Sequence, residues 1–88
     1  MSFRVVVTRT AAREPAEKLP GAAAAACVEF VFGPLAENPH RVGSALRGPY
    51  IGHWRARRGV YRVRYRIDET EKVVYVLDID HRHDAYRR

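Results

Sequence analysis

Residues 53–68 read HWRARRGVYRVRYRID, in which apolar and basic residues alternate on both sides of a glycine. After Gly59, tyrosine, valine, tyrosine and isoleucine hold the odd positions from 61 to 67, and arginine holds positions 62, 64 and 66. Successive side chains of a β-strand point to opposite faces of its sheet. The stretch therefore predicts a strand with one apolar face and one cationic face.

A turn at Gly59 pairs this strand with the segment before it in antiparallel register. The register sets Arg57 opposite Arg62 and Arg55 opposite Arg64. Like charges directly opposite one another are destabilising, so such a surface has an electrostatic cost that a bound polyanion would relieve. The shared surface is expected to hold six basic side chains: His53, Arg55, Arg57, Arg62, Arg64 and Arg66.

The segments around this hairpin predict two helices and two further strands. Residues 1–8 form a β-branched run typical of a buried strand, and a helix is expected at about 10–19. A second helix starts near Gly21, and Gly33-Pro34 either ends it or bends it. Its core stripe follows helical spacing: Ala24, Cys27, Val28, Val31 and Leu35.

The second half of the chain changes to a strand-like period. Residues 38–50 are rich in glycine and proline and predict a loop, followed by strands at 52–57, 60–68 and 72–80. The order βααβββ predicts an α+β fold, a mainly antiparallel sheet with two helices packed on one face. A chain of 88 residues is expected to form one domain over residues 1–88.

Composition points to a nucleic-acid partner. The formal charge is +6, and between Arg41 and Ile67 no carboxylate interrupts eight arginines. Fourteen arginines against two lysines favour bidentate contacts with phosphate. An apolar content of 47% excludes a disordered basic tail.

Cysteine content and hydropathy bear on location. The single Cys27 excludes an internal disulfide, and no apolar run is long enough to span a bilayer. We therefore expect a cytoplasmic protein with no membrane partner.

Five fragments in order resemble the RelE branch of the RelE/ParE toxin superfamily. They are NPHRVG (38–43), LRG (46–48), RRGVYRVRYRI (57–67), IDHR (79–82) and Tyr86. The resemblance implies a toxin of a type II toxin–antitoxin system, held in a hetero-oligomeric complex by its cognate antitoxin. It also implies an endoribonuclease that enters the ribosome and cuts mRNA in the A site.

The resemblance assigns roles by position. Arg62 would bind the scissile phosphate, Arg55 and Arg82 would stabilise developing charge, and Tyr86 would orient or stack on the substrate near the 2′-OH. Attack by a ribose 2′-OH needs a base, cations and an acid, but no metal and no cofactor.

His53 stands where the family pattern has a lysine. An imidazole exchanges protons near neutral pH, whereas a guanidinium does not, so His53 is a candidate general base or, once protonated, a cation. The remaining basic side chains of this region are candidate RNA-binding residues: Arg47, Arg57, Arg58, Arg64 and Arg66.

Two other functions stay open on the sequence. The ParE-like branch shares the fold and inhibits DNA gyrase, and a plain RNA-binding module would hold RNA without cutting it. Asp78 and Asp80 are expected to balance the charge of the arginines, and Trp54 is expected to belong to the core.

Overall fold

The computed structural model describes residues 2–18, 21–59 and 61–81. The strands are β1 (Arg4–Val7), β2 (Ser44–Ala45), β3 (Trp54–Arg58), β4 (Tyr61–Asp68) and β5 (Val73–His81). The helices are α1 (Arg9–Lys18), α2 (Gly21–Phe30) and α3 (Pro39–Val42), with a π-helical turn at Val31–Leu35 and a 3₁₀ turn at Gly48–Tyr50. No helix in these ranges is long and apolar enough to cross a bilayer.

The strands form one sheet in the order β1-β5-β4-β3-β2. β1 runs parallel to β5, and the other neighbours pair antiparallel. The predicted α+β class with a mainly antiparallel sheet is confirmed. The hairpin register is confirmed as well, with Arg57 opposite Arg62 and Arg55 opposite Arg64.

The core lies between the helices and the inward face of the sheet. Tyr61, Val63 and Tyr65 are at most 2% exposed and pack in one cluster with residues of α2, of which Cys27 is 1% exposed. Burial raises the pKa of the Cys27 thiol to about 11, so it stays protonated near neutral pH as a core side chain. Trp54 packs against the same cluster, as the sequence predicted.

The second helix differs from its prediction at two points. Val28 was expected in the core but is 53% exposed, while Phe30 is buried. The chain does not stop at Gly33-Pro34, because the wider π-helical turn accommodates Pro34 and the helix continues to Glu37. Of the two expected alternatives, an end of the helix at Gly33-Pro34 is therefore wrong.

The loop predicted for residues 38–50 is wrong in part, since it contains α3, β2 and the 3₁₀ turn. Pro39 starts α3, where its missing N–H costs no hydrogen bond. The buried Tyr65 hydroxyl donates a 2.6 Å hydrogen bond to the Pro39 carbonyl oxygen. Burial raises the pKa of Tyr65 to about 12, so the phenol keeps the proton that this bond requires.

Candidate nucleic-acid interface

A cleft of about 350 Å³ lies on the outward face of the sheet, opposite the helices. Arginines from two adjacent strands meet there because alternation sends the even positions of β4 and the odd positions of β3 to this face. We call it the arginine cleft. Its lining residues are Leu46, Tyr50, Arg55, Arg62, Arg64, Asp78 and Asp80.

A β-bulge in β5, the third strand of the cleft, determines which of its side chains face the cleft. Arg64 pairs with Asp78 but Tyr65 pairs with Val76, so Leu77 is an extra residue in β5. The bulge switches the alternation of β5. Asp78 therefore lines the cleft, while Val76 still reaches the core.

The two acidic residues form loose ion pairs with the arginines beside them. Arg62 Nη2 lies 3.7 Å from Asp80 Oδ2, and Arg64 Nη2 lies 3.9 Å from Asp78 Oδ2. Such partly exposed pairs contribute roughly 0–1 kcal/mol, and each guanidinium has five N–H donors. The carboxylates therefore orient the arginines and leave donors for a phosphate.

Arg64 carries a donor that nothing in the described chain accepts. Its Nε is buried without a hydrogen-bond partner, although its guanidinium lies 5.5 Å from the centre of the Tyr50 ring. A buried donor without an acceptor costs about 1–3 kcal/mol, which an anion in the cleft would offset. The half-exposed Tyr50 ring also offers a flat surface on which a base can stack.

His53 lies at the rim of the arginine cleft, not among its lining residues. Its ring centre is 6.4 Å from that of Tyr50, and its carbonyl accepts a hydrogen bond from the Leu46 N–H. Its Nδ1 is buried and has no hydrogen-bond partner among the described residues. A ligand in the cleft can therefore meet the ring through Nε2, not through Nδ1.

The cleft gathers three of the predicted arginines, Arg55, Arg62 and Arg64. Arg57 lies beside it, opposite Arg62 on β3.

The structure does not bring the other predicted residues into the cleft. Arg58 lies over the Phe30 ring on the helix-bearing side, and Arg66 lies over Tyr75 beyond the bulge. Arg47 is exposed before the 3₁₀ turn and lines no part of the cleft. The predicted catalytic residues Arg82 and Tyr86 lie outside the described residues.

Tyr50 and Leu46 line the cleft but were not among the predicted site residues. Both belong to the segment expected to be a loop, and no local pattern shows where it packs. The signal that could have found them is the pairing of β2 with β3, which returns residues 46–50 to the outward face.

The fold and the cleft define a small basic α+β protein with a cluster of arginines on an open sheet. The family model described as the ParE toxin of the type II toxin–antitoxin system, parDE, matches residues 6–86. The chain is 51% identical over 85 residues to Toxin RelE of Mycobacterium tuberculosis, covering 97% of this chain and 87% of that protein. It is 49% identical to Toxin RelG of the same organism over the full length of both chains.

Solved structures agree with these relatives. The toxin–antitoxin complex RelBE2 of M. tuberculosis contains a chain that matches with a TM-score of 0.89 and 46% identity, covering 93% of this chain and 100% of that one. The archaeal RelE–RelB complex of Pyrococcus horikoshii matches with a TM-score of 0.64 at 24% identity, over 93% and 97% of the two chains, which supports the fold alone. The chain belongs to the RelE/ParE superfamily, the toxins of type II toxin–antitoxin systems.

Proposed function

We propose that this toxin is a ribosome-dependent endoribonuclease that cleaves mRNA in the A site. The observation that carries the proposal is the convergence of Arg55, Arg62 and Arg64 on one open cleft beside an exposed aromatic ring. Guanidinium groups placed around a phosphodiester stabilise the charge that builds up on its oxygens during in-line displacement.

The reaction uses the RNA's own nucleophile. The ribose 2′-oxygen loses its proton and attacks the adjacent phosphorus, and the bond to the 5′-oxygen of the next nucleotide breaks. The products are a 2′,3′-cyclic phosphate and a 5′-hydroxyl, so the step consumes no water and no cofactor. Arg62 is proposed to hold the scissile phosphate, with Arg55 beside it and, by resemblance, Arg82 and Tyr86.

The openness of the cleft accounts for the proposed need for the ribosome. A flexible RNA strand rarely aligns its 2′-oxygen with the leaving oxygen, and ordering reactants can supply a large part of the rate. The described chain offers a sheet face and one aromatic ring, and no lid. The decoding site would present the codon in a fixed conformation. A toxin that acts on ribosomes in this way would work in the cytoplasm.

His53 is proposed as the proton donor to the leaving group. Because Nδ1 is buried, Nε2 is the ring nitrogen that can meet the substrate; the imidazolium form would give its Nε2 proton to the departing 5′-oxygen and return to the neutral ring. This narrows the sequence-based expectation of a base or a cation. The group that removes the 2′-OH proton is then sought elsewhere, with Tyr86 or the ribosome as candidates.

Replacing His53 with alanine is expected to slow cleavage by about 10²-fold or more. The same variant should lose little rate on a message whose leaving 5′-oxygen is replaced by sulfur, since a thiolate departs without an acid. Arg55→Ala is the control, because loss of a phosphate contact slows both substrates. The measurement is single-turnover cleavage on programmed ribosomes. An equal loss on the oxygen and sulfur substrates would rule out the donor role.

The cognate antitoxin is the proposed protein partner. The chain carries a charge of +6, and its outward sheet face is open. An acidic or amphipathic segment laid over this face would neutralise the arginines and block the cleft.

Inhibition of DNA gyrase is the second candidate, because the matching family model is described as ParE. The two functions separate in a paired assay with the same purified toxin. We expect cuts in ribosome-bound message and no accumulation of gyrase-cleaved DNA. Trapped gyrase together with intact message would assign the chain to the gyrase-inhibiting branch.

A further inference from the structure

A second basic pocket lies beside the arginine cleft, at the β2 edge of the sheet. It measures about 440 Å³. We call it the edge pocket, and its lining residues are Arg41, Val42, Gly43, Ser44, Arg55 and Arg57. Arg41 enters from α3, and Ser44 lies opposite Arg55 in the pairing of β2 with β3.

The arginines of the edge pocket, unlike Arg62 and Arg64 of the cleft, form no ion pairs with the acidic side chains of the described residues. Within residues 2–18, 21–59 and 61–81, ion pairs are formed by Arg62 and Arg64 but not by Arg41, Arg55 or Arg57. Among the described residues, no acidic side chain lines the edge pocket, whereas two line the cleft. Three guanidinium groups and a serine hydroxyl therefore offer donors without a competing carboxylate.

The edge pocket and the arginine cleft share a wall. Arg55 lines both of them, and Arg57 of the edge pocket pairs with Arg62 of the cleft across the hairpin. Side chains that lie directly opposite in an antiparallel pair start about 5 Å apart. An anion in the edge pocket would therefore lie next to one in the cleft, as successive phosphates of one strand do.

We propose that the edge pocket binds the RNA phosphate adjacent to the scissile one, with Arg41 as its outermost ligand. This deepens the proposed function, on which it rests, by adding a subsite that carries the strand across β3 towards β2. Arg41 acts in binding and positioning, and its guanidinium does not touch the reacting atoms.

The test measures the binding of 2′-O-methyl oligonucleotides, which cannot be cleaved. Wild-type toxin should bind a tetranucleotide more tightly than a dinucleotide. Arg41→Ala should lower the affinity for the tetranucleotide by about tenfold. Dinucleotide affinity should stay unchanged, and the salt slope for the tetranucleotide should fall by about 0.7. The control is Arg4→Ala, which removes an exposed charge from β1 at the opposite edge of the sheet.

Three results would overturn the subsite: no gain from dinucleotide to tetranucleotide in wild type, a gain that survives Arg41→Ala, or an equal loss for both probes. The subsite would also be ruled out if Arg41→Ala lost only its binding to the antitoxin, or only its binding to ribosomes without message. Arg41 would then belong to a protein-binding or ribosome-binding surface. Because the probes resist cleavage, the subsite can fail while the nuclease stands, or stand if the nuclease fails.

Discussion

Arg62→Ala is expected to slow cleavage of ribosome-bound message by about 10²–10³-fold, the usual loss when one donor to a developing charge is removed. Arg62 lines the cleft on β4 and keeps free donors beside its loose pair with Asp80. Binding to the ribosome should fall much less, because the other arginines of the cleft would remain available to RNA phosphates. Single-turnover kinetics give the cleavage rate, and equilibrium titration of the same ribosomes gives the binding affinity.

The control for Arg62 is again Arg4→Ala, which changes the net charge equally but lies far along the sheet from the cleft. It should cleave at close to the wild-type rate. If cleavage and binding fell by the same factor in Arg62→Ala, the loss would lie in binding alone. Arg62 would then hold RNA without stabilising the developing charge, and only a wild-type protein that binds message without cutting it would be a non-catalytic RNA-binding module.

Gly43→Ala is expected to destabilise the fold by about 1–3 kcal/mol through overpacking. A Cβ at Gly43 would overlap the Tyr65 hydroxyl and lie 2.9 Å from the Arg55 carbonyl oxygen. Tyr65→Phe should cost about 1–3 kcal/mol, because the buried Pro39 carbonyl loses its donor. The double variant should cost less than the sum, since phenylalanine lacks the oxygen that alanine meets. Urea unfolding of the four proteins measures this cycle.

Gly33→Ala is the matched control, because a Cβ there would meet nothing within 4 Å and the residue lies in a helical turn. It should be neutral or slightly stabilising. Strict additivity in the cycle, or a Gly43→Ala variant as stable as Gly33→Ala, would show that the packing of α3 on Tyr65 is not what holds residues 39–45 in place.

The hairpin was predictable because its signal is local. Alternation over residues 61–67 and the turn at Gly59, with its φ of +60°, fix the register, and the register fixes which arginines meet. These features need only the period of a strand and the geometry of a turn.

The parts that were missed depend on contacts between distant segments. The bulge at Leu77 leaves no mark in a run of apolar residues, yet it decides which side chains of β5 line the cleft. α3 and β2 are too short to show a period, and Tyr65 of β4 holds the first of them. The edge pocket exists only because this segment is folded back beside β3, so Arg41 could not be assigned from its neighbours in sequence.

The central claim is that the arginine cleft directs a ribose 2′-OH against its own phosphate. The most direct test maps the ends made in the A-site codon of ribosome-bound message, with divalent metal left bound to the ribosome and none added for the toxin. We expect a 2′,3′-cyclic phosphate upstream and a 5′-hydroxyl downstream at each cut, and far less of both ends with Arg62→Ala over the same reaction time. Cuts that leave a 5′-phosphate, or an equal yield of cuts from Arg62→Ala, would contradict this expectation.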